Sequence, residues 1–75
     1  MMRAREVNRR IERLGGVIVR QVGSHRRCTA TYTDAAGRQA TVTTIVAQHT
    51  GDIPVGTLRA IERDLERAFG RGWLW

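Results

Sequence analysis

The chain has two imidazoles, His25 and His49. His25 stands in the run Gly23-Ser24-His25-Arg26-Arg27, beside two guanidinium groups. Histidine titrates close to physiological pH, with an ordinary pKa of ~6.5, so it can take a proton and return it. Arginine is a permanently charged planar fork that grips phosphate oxygens. The combination points to proton transfer beside a phosphodiester. RNA offers the matching chemistry, because its 2′-OH is an internal nucleophile that needs a base.

The supporting residues each have a functional and a plainer reading. His25 is a general base or a solvated turn residue. Ser24 can orient the ring or bind phosphate. Neighbours on an extended segment point to opposite faces, so only one of Arg26 and Arg27 can flank His25 at one phosphate. The other is a rim contact. Arg20 lies on the preceding extended segment and joins the basic set. His49 either supplies a second acid–base group or hydrogen-bonds its own loop. Helix starts attract anions, so Thr57 near such a start either contacts phosphate or caps backbone donors. Arg3, Arg5, Arg9 and Arg13 form a helix face that tracks an RNA backbone or is simply solvated. Asp52 reads as a turn or cap residue. Two histidines and seven acids without ligand spacing give no basis for a metal, and no cofactor is expected.

Composition narrows the class. All thirteen basic residues are arginine, against seven acids, for a net charge of +6. Such a balance on 75 residues favours a polyanionic partner: RNA, DNA or an acidic protein. Arginine in place of lysine is also what a GC-rich genome would produce. No apolar run approaches the ~18 residues needed to span a membrane. Cys28 is the single cysteine, so no disulfide forms within the chain and a reducing cytosol fits best. Residues 1–14 are arginine-rich like a transit peptide, but carry Glu6 and Glu12 and no Ser, so they read as part of the folded domain. A chain of this length makes one domain, 1–75, with its recognition surface on the outside. Residues 70–75 read as a mobile C-terminal tail, where Trp73 and Trp75 could stack on a base, pack back or dock a partner.

The positioning elements follow from periodicity. Ala4, Val7, Ile11 and Leu14 make a helical stripe over about 3–14, with Arg5, Arg9 and Arg13 opposite. Gly15 and Gly16 supply the left-handed stop. Val17–Val22 is β-branched and bounded by glycines, hence a strand. Cys28–Thr33 alternates, with Cys28, Ala30 and Tyr32 on one face. Asp34-Ala35-Ala36-Gly37 is a turn. Residues 38–47 make a third strand. Pro54 suits a helix start, and Leu58, Ile61, Leu65, Ala68 and Phe69 form the stripe of a second helix ended by Gly70. The connections are too short for crossovers. The expected fold is therefore α+β, ordered α-β-β-β-α: a three-stranded antiparallel sheet with both helices on one face. Its other face, rich in Thr with little apolar bulk, stays wet.

This layout, with these residues, resembles the HicA family of bacterial toxins. The resemblance spans roughly 3–69 and rests on two stretches. One is the amphipathic helix followed by Gly16-Val17-Ile18-Val19-Arg20-Gln21-Val22-Gly23-Ser24-His25-Arg26. The other is His49 followed by Asp52-Ile53-Pro54-Val55-Gly56-Thr57-Leu58-Arg59-Ala60-Ile61. Ala47 stands where family members often have Pro, and the end 68–75 departs from the family pattern. The resemblance implies a fold like the double-stranded-RNA-binding domain and an mRNA interferase of a type II toxin–antitoxin system, a cytoplasmic endoribonuclease paired with a HicB antitoxin. It also implies that His25 is the catalytic residue. The rival readings are a non-catalytic RNA-binding module of the same fold and a basic interaction protein that docks an acidic partner.

Overall fold

In the computed structural model, which describes residues 2–75, the order is α1 (Ala4–Arg13), β1 (Val17–Val22), β2 (His25–Thr33), β3 (Gln39–Ala47) and α2 (Val55–Phe69). The strands form one antiparallel sheet in the order β1-β2-β3. Both helices bury their stripes on one face of it. Val7, Ile11, Leu58, Ile61 and Leu65 from the helices meet Cys28, Ala30 and Val46 from the strands in a single core.

Local chemistry explains the boundaries. Glu6 accepts the Arg3 backbone N–H at 3.3 Å, and its charge suits the positive end of α1. Of the two glycines after α1, only Gly15 takes the left-handed conformation. Gly16 is required for room instead, since a Cβ there would run into the Ile11 side chain and lie 3.1 Å from Phe69. Leu14, expected in the apolar stripe, is 47% exposed because it follows the last helical turn. Asn8 is buried in its place and exchanges hydrogen bonds with the Gln48 amide. Asp34 closes the β2–β3 turn by accepting from the backbone of Ala36 and Arg38, both at 2.9 Å.

Two expectations need correction. β2 begins at His25, three residues earlier than the alternation from Cys28 suggested, so His25, Arg26 and Arg27 are strand residues. The register pairs them with Ala47, Val46 and Ile45 of β3, and this pairing outweighs the poor strand preference of a charged run. The end of the chain is packed rather than a free tail. Leu74 is fully buried, and Trp73 donates from Nε1 to the Glu62 carbonyl at 2.8 Å and meets Phe69 edge-on. Arg10 donates to the Leu74 carbonyl at 2.8 Å and so ties α1 to the same segment. Burial of an indole and a leucine, together with these hydrogen bonds, opposes the loss of freedom in the segment. Among the described residues, no helix is long and apolar enough to cross a membrane.

A basic sheet face around His25

The site is built from the β1–β2 hairpin. Gly23 has φ +57° and Ser24, the second residue of this turn, has no positive φ, the pattern of a two-residue turn with glycine first. The tight turn makes Val22 and His25 direct partners across the ladder. A second tie holds the hairpin from behind. The Ser24 carbonyl accepts the Gln48 backbone N–H at 2.6 Å, and the Gln48 side chain bonds both Asn8 and the Val46 carbonyl. The hairpin, the exit of β3 and α1 are thereby fixed to one another at the end of the sheet that carries His25.

Across the open face the register makes two adjacent rows. The first is Val22–His25–Ala47 and the second is Arg20–Arg27–Ile45. Arg20 reaches this face through an irregularity. The ladder slips between Ile18 and Arg20, leaving Val19 as an extra residue. Strict alternation from Ile18, which packs on the core, would have turned Arg20 inward. The bulge re-aims it outward, directly opposite Arg27. Arg20, Val22, His25, Arg27 and Ile45 line one shallow cleft of about 280 Å³.

The electrostatics of this cleft are one-sided. Like charges directly opposite on a sheet are destabilising. Among the described residues only Arg3 has an aspartate or glutamate carboxylate within 4.0 Å, that of Asp52. Arg20 and Arg27 therefore face each other with no acid between them. An anion in the cleft would relieve that repulsion, and His25 would stand beside it.

The other candidates fall elsewhere. Arg26 points to the helix side, where its Nε donates to Gln21 at 2.9 Å; Arg27, not Arg26, shares the face of His25. His49 is exposed and lines a separate cleft of about 180 Å³ with Asp52, Ile53, Thr57 and Ile61. Thr57 forms no cap, since Pro54 occupies the cap position of α2 without a side-chain hydrogen bond. Asp52 bridges to Arg3 and anchors the loop ahead of α2. Cys28 lies on the core side of β2, where burial raises its thiol pKa; Arg26 lowers it and Glu12 raises it further, both to a smaller degree.

Two features were not read from the sequence. One is the bulge at Val19, for which a run of β-branched residues gives no signal. The other is apolar bulk on the open face, where Val17, Val19, Val22 and Ile45 are all exposed beside the threonines. The alternation of β2 and β3 could have shown Ile45 there, because it is paired with Arg27.

A family model described as the HicA toxin of bacterial toxin–antitoxin systems matches residues 4–67. No curated protein and no solved structure matches the chain.

Proposed function

The chain belongs to the HicA toxin family of bacterial toxin–antitoxin systems, and on that premise we propose that it is a cytoplasmic endoribonuclease that cleaves single-stranded mRNA with His25 as general base. The observation that carries this reading is the pair of rows on the open face. An imidazole stands next to two directly opposed arginines that have no acidic neighbour within 4.0 Å among the described residues.

The step needs only groups of this chain and the substrate. His25 removes the proton of a 2′-OH, the 2′-oxygen attacks the adjacent phosphorus, and the bond to the 5′-oxygen breaks. The leaving oxygen takes a proton from water or from the imidazolium. The products are a 2′,3′-cyclic phosphate and a 5′-OH end. Arg27 and Arg20 balance the charge that builds on the non-bridging oxygens, where preorganised donors act most strongly. Ser24, at the turn before His25, adds a hydroxyl for the phosphate. Arg26 and Thr57 contact phosphates away from the cleaved bond. The step assigns no proton transfer to His49, which lines a different cleft. No metal or other cofactor enters the step. The partner that restrains the activity is a HicB-type antitoxin.

The chemistry has a direct test. An RNA whose 2′-OH groups are replaced by methoxy groups should resist cleavage completely while still binding. Cleavage of that substrate would rule out the 2′-oxygen as nucleophile.

A further inference from the structure

We infer that the groove between α1 and the start of β2 is a second phosphate-binding site, which holds the single-stranded RNA flanking the point of cleavage. The identity of the strand rests on the ribonuclease reading above; the groove itself is a separate surface on the opposite side of the sheet.

Three guanidinium groups converge there. Arg5 and Arg9 come from successive turns of α1 and Arg26 from β2, and together they line a groove of about 410 Å³. Glu12, Asn8 and Gln48 complete the lining. Glu12 is the one acid in it, and it lies beyond 4.0 Å from all three arginines. The two amides are occupied with each other, so the floor is neutral and fixed. Arg26 is oriented by its Nε bond to Gln21, and among the described residues its terminal nitrogens have no partner. Three unneutralised like charges gathered in one groove repel one another, and a polyanion removes that cost. Residues four apart on a helix hold their Cβ atoms about 5–6 Å from each other, a repeat that successive phosphates of an extended strand can match.

The location selects the strand. His25 and Arg26 are consecutive in β2 and point to opposite faces. Only the turn Gly23–Ser24 separates the two faces at this end of the sheet. A strand that offers one phosphate to Arg20 and Arg27 and the next ones to Arg26, Arg5 and Arg9 must fold over that turn. A flexible single strand can do so, whereas a duplex, recognised through its rigid shape, cannot.

The test uses the full chain made unable to cut by His25→Ala, titrated with a fluorescent, unstructured RNA of about 20 nucleotides over a series of salt concentrations. Each phosphate contact on a single strand contributes ~0.7 to the slope of log affinity against log salt. Arg5→Ala with Arg9→Ala should lower the slope by about 1.4. Both sites are exposed helix positions where alanine is well tolerated, and circular dichroism checks that the fold is kept. Arg63→Ala with Arg67→Ala, exposed on α2 away from the groove, should leave the slope unchanged. An unchanged slope in the first variant overturns the proposal, and would leave the arginines to an acidic protein surface. An equal drop in both variants overturns it as well, since binding would then be spread over the whole basic surface. If the slope falls as expected but the unmutated chain does not cut the same RNA, the groove stands and the ribonuclease reading fails. If the RNA is cut and the slope does not move, the reverse holds.

Discussion

His25 differs from an ordinary turn histidine in what the ladder puts around it. Val22 and Ala47 flank it in its own row, and Arg20 and Arg27 occupy the next. Its neighbour Cys28 shows how sharply the two faces differ. The thiol sits in the core row between Ile18 and Thr44, where burial raises its pKa above the ordinary value of 9.0. This has a consequence for stability. Below that ordinary value both folded and unfolded chains carry the neutral thiol, so the contribution is fully present. Above it the unfolded chain releases the proton first, and stability falls as pH rises toward the folded value. Urea unfolding at about pH 8 and about pH 10 should show a larger loss for the natural chain than for Cys28→Ala. Equal losses would mean that the thiol is not held neutral by the core.

At the scale of elements, the periodic stripes of both helices and the alternation of the second strand were readable from the residue pattern. Ala4, Val7, Ile11, Leu58, Ile61 and Leu65 are all buried where spacing put them. Features that depend on partners were not readable. Nothing in Val17-Ile18-Val19-Arg20 announces which residue the ladder will skip, because a bulge is set by both strands at once. The early start of β2 is of the same kind: His25, Arg26 and Arg27 are strand residues because β1 and β3 both pair with them. The packing of the C-terminal segment was one of several open readings, because three turn-like residues, Gly70-Arg71-Gly72, precede the aromatic ones. Its packing makes a clear prediction. Trp73→Ala removes a buried ring, its contact with Phe69 and the hydrogen bond to the Glu62 carbonyl. It should destabilise the domain by about 3–5 kcal/mol in denaturant unfolding. A change within ~0.5 kcal/mol, the range of ordinary surface substitutions, would show the segment to be loosely attached.

At the scale of the molecule, one feature organises the rest: a small domain with a net charge of +6 whose arginines, Arg3 apart, have no aspartate or glutamate carboxylate within 4.0 Å among the described residues. The charge and its sign were plain from composition, and they favour a polyanionic partner. The opposite faces of Arg26 and Arg27 were readable from their adjacency, but which of the two shares its face with Arg20 was not, because a bulge brings Arg20 round to join Arg27. The sheet separates them: a cleft with the imidazole on the open face, a groove without one on the helix side. The proposed chemistry depends on the imidazole. The most direct measurement compares the natural chain with His25→Ala on one single-stranded RNA, reading cleavage and binding side by side. Loss of a general base should lower the cleavage rate by about 10²–10⁴, with RNA affinity kept within about twofold, because the arginines that supply affinity are untouched. Cleavage by the variant at the rate of the natural chain would contradict the account.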